Sequence, residues 1–238
     1  MGARAEDRVF RVHPLPQGVY EGVAVVIDVI RATTTAAAFL EAGVPALVLA
    51  ADLGQAQALR RPGEVLAGER GGLRPEGFDL GNSPREAGLA RGRTVVMATT
   101  NGTRAVHAAR TARVLLLGSL NSARKTAEMA ALWGEGVDLV CAGKEGAPGL
   151  DDLYTAGVIG QRLLAWGFRP QGEMAHLALF LAQNPPLAVL RSSAAGQALE
   201  GVGLGEDVEV CARVDVHETV PVRTGYRDGG VVFGRGRC

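Results

Sequence analysis

A segment near residue 30 combines a carboxylate, an arginine and three threonines, and each of these types has a use in phosphate chemistry. It reads Asp28-Val-Ile-Arg31-Ala-Thr33-Thr34-Thr35. A carboxylate at the end of a strand can bind a hard cation such as Mg²⁺, and a guanidinium can hold a phosphate or a sulfonate with two parallel hydrogen bonds. The start of a following helix would add free backbone N–H groups. The segment therefore predicts an anion and metal site, with an Asp28–Arg31 ion pair and a threonine helix cap as the alternative.

A long glycine-rich loop, GERGGLRPEGFDLGNSP, is the second candidate segment. Its density of charge excludes it from the core, and ordered loops of this length tend to be functional. Glu69 suits a metal ion or a general acid–base role, and Arg70 suits an anion. Gly71, Gly72 and Asn82 complete the predicted substrate contacts, while a solvated connector is the alternative.

A third segment, ATTNGTR, follows another predicted strand. Its hydroxyl groups come from Thr99 and Thr100, and Asn101 adds an amide. Gly102 would let a ligand approach the backbone closely. We interpret the segment as a phosphate cradle without the spacing of a Walker motif, and an ordinary helix N-cap is the alternative. Asparagine is scarce in this chain, which favours the functional interpretation.

The fourth segment, CAGKEGAPGLDD, joins a strand to the acidic start of a helix. Lys144 can neutralise a phosphate as a point charge. Adjacent residues of a helix point about 100° apart, so only one of Asp151 and Asp152 can face a cleft squarely, and we favour Asp151. Both aspartates could instead only complement the helix dipole. Cys141 is interpreted as a buried strand residue.

Apolar, β-branched runs alternate with helix-like segments from residue 23 onward. Thr33 or Thr34 is predicted to cap the first helix. This alternation predicts an α/β fold, in which ligands bind at the carboxyl ends of parallel strands. The predicted strands are 23–30, 44–50, 94–98, 114–118 and 136–141. The predicted helices are 33–42, 52–60, 121–133, 151–166 and 185–199, with a turn and helix over 99–110. Residues 208–216 and 220–226 are predicted as late strands or extended segments.

The same order of elements returns about 66 residues later, with Ala98-Thr99-Thr100 in the place of Ala32-Thr33-Thr34. An internal duplication of βαβα units would give two similar α/β/α subdomains with a cleft between them. We place the boundary near Arg91, which divides the chain into residues 1–91 and 92–238. The alternative is that any two βα units look alike in a sequence rich in alanine and valine.

The composition excludes several classes of protein. The 25 basic and 25 acidic residues cancel, so we expect neither nucleic acid nor a membrane surface as a partner. No stretch approaches 18 apolar residues and the first ten residues contain no signal core, which predicts a cytoplasmic protein. The three cysteines, Cys141, Cys211 and Cys238, show no CxxC spacing, so free thiols are expected.

Taken together, the four segments resemble the signature blocks of the 2-phosphosulfolactate phosphatase family. The resemblance extends from Ile27 to Asp152. A leucine in the place of Ile30 and Leu-Glu-Asp at residues 150–152 would be more typical of that family. Residues 150–152 nevertheless keep their acidic character.

The resemblance implies a Mg²⁺-dependent phosphatase whose site lies in a cleft between two α/β halves. The family reaction releases phosphate from 2-phosphosulfolactate in coenzyme M biosynthesis. We expect Asp28, Glu69 and Asp151 to hold the metal ion, and the substrate to be a small anionic phosphate ester. A phosphate or nucleotide binding module without turnover and a Rossmann-like transferase are the alternatives, and a homo-oligomer is left open.

Overall fold

The computed structural model describes residues 8–236. Residues 1–7 and 237–238 lie outside this part, and with them most of the N-terminal stretch and Cys238. Within the described range, the strands are β1 (Val9–His13), β2 (Val23–Ile27), β3 (Leu47–Leu49), β4 (Val65–Gly68), β5 (Val95–Ala98), β6 (Val114–Gly118), β7 (Gly136–Cys141), β8 (Arg169–Gln171), β9 (Pro221–Arg227) and β10 (Gly230–Arg235).

Helices precede or follow most of these strands. Two short 3₁₀ helices, Pro84–Ala90 and Leu120–Ser122, also connect elements. The α-helices of the described range are α1 (Ala32–Glu41), α2 (Leu53–Leu59), α3 (Gly102–Ala108), α4 (Ala123–Trp133), α5 (Leu150–Ala165), α6 (Glu173–Leu181), α7 (Pro186–Ser192), α8 (Ala194–Gly201) and α9 (Gly205–Cys211). The α/β fold class is therefore confirmed.

The ten described strands form one sheet in the order β4-β5-β3-β10-β9-β6-β2-β7-β1-β8. Strands β4, β5 and β3 are parallel to one another, and so are β6, β2, β7, β1 and β8. The antiparallel hairpin β9–β10 lies between these two parallel blocks. Because three antiparallel pairings separate the blocks, their strands run in opposite directions along the sheet.

Strand β2 shows why the sheet is covered on both faces. All five of its residues are buried, and it pairs with β6 on one side and β7 on the other. Val23, Val25 and Ile27 pack into one apolar cluster, whereas Ala24 and Val26 pack into another. Such unbroken apolar strands are typical of parallel sheets between two layers of helices.

Most predicted elements are confirmed within a few residues, and three local predictions are wrong. Neither threonine caps α1, since its N-cap is Arg31 and no side chain accepts the cap hydrogen bond. The helix predicted over 185–199 is broken into α7 and α8 at Ser193, whose hydroxyl caps α8 by accepting from Gly196 N. The start of the segment 208–216 is helix α9, because its buried residues follow helical spacing despite the alternating valines.

The internal duplication is not confirmed. Strand β2 lies among strands of the later part of the chain, and β5 pairs with β3 and β4 from the earlier part. The division into residues 1–91 and 92–238 stays a prediction. In the described range, no helix is long and apolar enough to cross a bilayer.

Candidate active site

A cavity of about 290 Å³ lies where the loops after β2, β4, β5 and β7 meet. These strands belong to both parallel blocks, so the cavity is built from loops of both. The predicted site residues that line the cavity are Asp28, Arg31, Glu69, Gly71, Gly72, Asn82, Thr100, Asn101, Lys144 and Asp151. All four sequence segments therefore contribute to one cavity.

Five predicted residues do not line the cavity: Thr33, Thr34, Arg70, Thr99 and Gly102. The hydroxyls of the first two donate to the backbone oxygens of Asp28 (2.9 Å) and Val29 (2.8 Å). The Thr99 hydroxyl accepts from the backbone N–H of Thr103. These threonines build the turns that carry the site, and substrate contact by any of the five stays a prediction.

Asp28 follows β2 directly and is buried against the start of α3. Backbone N–H groups of Ala32 and Gly102 donate to its carboxylate. A Cβ at position 102 would lie 2.7 Å from Asp28 Oδ2 and 2.5 Å from the Ala32 side chain, so only glycine fits there. Burial, and then the negative charges of Asp151 and Glu69, raise the pKa of Asp28 from 3.8 to about 7.

Glu69 follows β4 and connects two loops of the site. One of its oxygens accepts from Thr100 N at 2.6 Å and the other from Gly72 N at 2.9 Å. Both oxygens thus already hold backbone groups of the glycine-rich loop and of the ATTNGTR turn. Metal binding by Glu69 stays a prediction, and its contacts favour a role in fixing these loops.

The two aspartates at the start of α5 differ in their partners. Asp152 accepts from Val29 N (2.9 Å) and Gly143 N (3.0 Å), so each of its oxygens has a backbone donor. Asp151 is hydrogen-bonded to the Ser193 side chain, and the positive charge of Lys144 favours the ionised form of its carboxyl group. Burial raises the pKa of Asp151 to about 6 and holds that of Asp152 well above its usual range. Backbone N–H groups of residues 151 and 152 also donate to the Asp151 carboxylate, so Asp151 is held by its own helix start, whereas Asp152 holds two other segments.

Arg31 is 3% exposed and contacts two distant parts of the chain. Its Nη1 donates to Asp207 Oδ2 and its Nη2 to the Gly72 oxygen, each at 2.5 Å. The guanidinium therefore connects α1, the glycine-rich loop and α9 at the cavity wall. Neither partner was predicted from sequence.

Helix α8 forms one wall of the cavity, and its place at the site was not predicted from the sequence. Ala195, Ala198 and Leu199 line the cavity with small or apolar side chains. Lys144 Nζ donates to the oxygen of Ala194 at 3.0 Å, at the first turn of this helix. The break at Ser193, a good N-cap residue, is the sequence signal that could have revealed α8 as a separate element.

Asn82 leaves one polar atom of the cavity wall without a partner. The residue is 4% exposed, and its Oδ1 has no hydrogen bond. Its backbone oxygen accepts from the Thr35 hydroxyl, which fixes its place beside α1. Buried carbonyl oxygens are nearly always paired, so this atom would gain a hydrogen bond if a neighbouring donor moved toward it.

Acidic groups outnumber basic ones around the cavity. The carboxylates are Asp28, Glu69, Glu145, Asp151 and Asp152, and the basic groups are Arg31 and Lys144. Arg31 is already paired with Asp207. A cavity of this charge would repel a phosphate, and a bound cation would reverse that effect.

The donor set fits Mg²⁺ in a specific way. No three histidine, cysteine or acidic side chains of residues 8–236 converge as a complete metal cage. Mg²⁺, however, is commonly held by one or two carboxylates, with water and substrate phosphate as further ligands. Asp28 and Asp151 can supply two such hard oxygen ligands at the cavity wall.

Known proteins resemble this chain over most of its length. A family model described as 2-phosphosulpholactate phosphatase matches residues 9–225. Proteins named probable 2-phosphosulfolactate phosphatase are 52% identical in Thermus thermophilus, covering 91% of this chain and 94% of that protein, and 47% identical in Deinococcus radiodurans, covering 89% and 91%. A protein of the same name from Carboxydothermus hydrogenoformans is 36% identical and covers 83% of this chain and 84% of that protein. The chain belongs to the 2-phosphosulfolactate phosphatase family.

Proposed function

We propose that this protein hydrolyses the phosphate monoester of a small anionic hydroxy acid, with 2-phosphosulfolactate as the first substrate to test. The family and the names of the relatives support this reaction. The cavity of about 290 Å³ suits a small molecule. A cytoplasmic location belongs to the same proposal, and an oligomeric state stays a prediction.

The observation that carries the proposal is the pair of buried carboxylates, Asp28 and Asp151, beside basic groups in one cavity. Phosphate monoester hydrolysis proceeds through a transition state with charge on three oxygens, so catalysis requires positioning and electrostatic stabilisation. We propose Mg²⁺ as the cofactor, held by Asp28 and Asp151, and Glu69 as an added negative charge behind them. When bound, Mg²⁺ would neutralise phosphoryl oxygens and lower the pKa of a water molecule.

The remaining side chains would hold the substrate. Arg31 offers the guanidinium edge that its two partners leave free, and Lys144 has two N–H groups beyond the one on Ala194. Asn101 lines the cavity and its side chain makes no cap hydrogen bond with α3, which leaves its amide for the substrate. Helix α8 would cover the apolar part of the substrate. Attack of water on phosphorus then breaks the P–O bond, and the hydroxy acid and inorganic phosphate leave.

A phosphate-release assay tests the proposal. The substrates are 2-phosphosulfolactate and its carboxylate analogues, each with EDTA, with Mg²⁺ and with Mn²⁺. We expect release only with a divalent cation, because hard oxygen ligands dominate the site. Full turnover in EDTA would refute the proposal that Mg²⁺ is the cofactor. Thermal stabilisation by these compounds without any phosphate release would instead support a binding module.

A matched pair of variants makes the assay specific. Asp28→Asn removes a carboxylate from the cavity, and we expect a loss of at least about a hundredfold in kcat. Asp138→Asn removes a buried carboxylate paired with Arg11 and His13, outside the cavity. The second variant is expected to keep wild-type kcat per folded molecule.

A further inference from the structure

Asp207 is a fully buried carboxylate that no sequence motif of the site includes. It lies in the first turn of α9 and is 0% exposed. Its Oδ2 accepts from Arg31 Nη1 at 2.5 Å, across 176 positions of sequence. Its Oδ1 accepts from the Ser83 hydroxyl at 2.7 Å. Each oxygen of Asp207 thus holds a different segment of the cavity wall.

The two contacts fix groups that face the cavity. Arg31 is held at two of its nitrogens, by Asp207 and by the Gly72 oxygen, which sets the plane of the guanidinium. Ser83 directly follows Asn82, which lines the cavity. A shift of Asp207 would therefore move a predicted anion ligand and a predicted polar contact together.

Burial makes this arrangement sensitive to the charge of Asp207. Taking an arginine and an aspartate out of water costs free energy that their attraction offsets only with good geometry. Removal of the negative partner would leave the Arg31 charge buried and uncompensated. The guanidinium would then turn toward other acceptors, and the cavity that Arg31 lines holds the carboxylates that a cation would otherwise use.

We propose that Asp207 is a positioning residue that orients Arg31 for binding the anionic substrate and keeps it away from the metal-binding carboxylates. This inference rests on the proposed function for its kinetic readout. Asp207 itself does not line the cavity, so it acts through Arg31 and Ser83. Helix α9 thereby holds two segments of the cavity wall in place.

Kinetics of Asp207→Asn provide the first test. Asparagine keeps the shape and one acceptor but lacks the charge. We expect KM to rise and kcat to fall together, with a loss of about tenfold to a hundredfold in kcat/KM, because a displaced ligand group impairs both binding and the reaction. A purely structural role would reduce the active fraction and leave KM unchanged. Asp138→Asn is the matched control and should keep wild-type KM.

A double-mutant cycle with Arg31→Lys tests whether the effect passes through Arg31. We expect Asp207→Asn to change kcat/KM by less than about twofold in the Arg31→Lys background, since the group that it orients is already absent. Additive losses would overturn the proposal. So would a kcat/KM for Asp207→Asn within about twofold of wild type.

A measurement without substrate separates this inference from the proposed reaction. In protein labelled with ¹⁵N-arginine, the guanidinium resonance that Arg31→Lys removes should exchange slowly with solvent in the wild type. We expect Asp207→Asn to broaden or shift this resonance, and an unchanged resonance would overturn the positioning role. If the wild type releases no phosphate from any substrate, the proposed function fails, while this spectrum still decides the role of Asp207.

Discussion

Replacing Asp28 with asparagine should stabilise the metal-free protein while it removes activity. The Asp28 carboxylate is buried, and the charges of Asp151 and Glu69 oppose its ionisation. Asparagine has nearly the same shape and carries no charge. Its oxygen can accept a backbone N–H that now donates to Asp28. In the variant, folding no longer has to bury a negative charge at this position, and part of the hydrogen bonding is kept. The free energy of unfolding should therefore rise.

The size of the effect follows from the pKa. Asp28 titrates at 3.8 in an unfolded chain and at about 7 in the folded protein. At about 1.4 kcal/mol per pH unit, this difference corresponds to about 4 kcal/mol. Between these two values the folded state binds more protons than the unfolded state, so the free energy of unfolding falls as the pH rises through this window. The full cost is present above pH 7 and absent below about pH 4.

Thermal unfolding in EDTA measures this effect. For a chain of 238 residues, about 4 kcal/mol corresponds to roughly 10 °C in Tm, and we expect Asp28→Asn to gain on the order of half of that at pH 8. The gain should approach zero at pH 4. Mg²⁺ should raise the Tm of the wild type more than that of the variant, because the variant lacks one ligand.

Asp138→Asn is the control variant, because its effect on the free energy of unfolding is expected to have the opposite sign. Burial opposes its ionisation, but hydrogen bonds from His13 and Arg11 hold the pKa of Asp138 below its usual value. Its contribution to stability is therefore present above pH 4 and is lost as the pH falls further, so Asp138→Asn should lower the Tm at pH 8. If Asp28→Asn gains no stability at pH 8, or gains equally at pH 4, the reasoning about its charge is refuted.

Four further substitutions test the site in the phosphate-release assay. Arg31→Lys should raise KM and lower kcat, because one ammonium cannot replace two parallel donors; unchanged kinetics would make Arg31 structural. Asp151→Asn should reduce kcat at low Mg²⁺ by about a hundredfold, whereas Asp152→Asn should reduce kcat far less, since the oxygens of Asp152 hold two backbone N–H groups of neighbouring loops. Equal, small effects of both would assign the pair to helix capping. Gly102→Ala should lower both Tm and kcat, because a Cβ would collide with Asp28 Oδ2; a fully active, stable variant would contradict the packing.

The sequence indicated which segments form the site because each polar motif followed an apolar strand. The carboxyl ends of β2 and β7 lie side by side in one block, and this pairing brings Asp28 and Asp151 into one cavity. Residue type did not reveal the exact partners. Glu69 and Asp152 carry the same group as Asp28 and Asp151, and each of them connects two loops of the site through backbone N–H groups. These connections depend on loop conformations that spacing does not specify.

The role of α9 could not be predicted for a different reason. Its valines alternate with polar residues, which suggests a strand, and only the packing of Asp207 and Cys211 on the same side indicates a helix. The partner of Asp207 is Arg31, 176 positions earlier, and no local pattern connects two residues so far apart. The two parallel blocks run in opposite directions because of pairings between strands that are distant in sequence, so this feature could not be predicted from local patterns either.

The hairpin β9–β10 has a consequence for synthesis of the chain on the ribosome. In the described sheet, it is the link between the β4-β5-β3 block and the β6-β2-β7-β1-β8 block, and it ends at Arg235. The two blocks can begin to form earlier, but strand pairing between them must wait until this hairpin leaves the exit tunnel. Nascent chains therefore carry an unpaired inner strand edge on β3, and a second one on β6 once residues 114–118 have emerged, until β9 and β10 emerge. These edges are sites where a chaperone or a neighbouring nascent chain would bind.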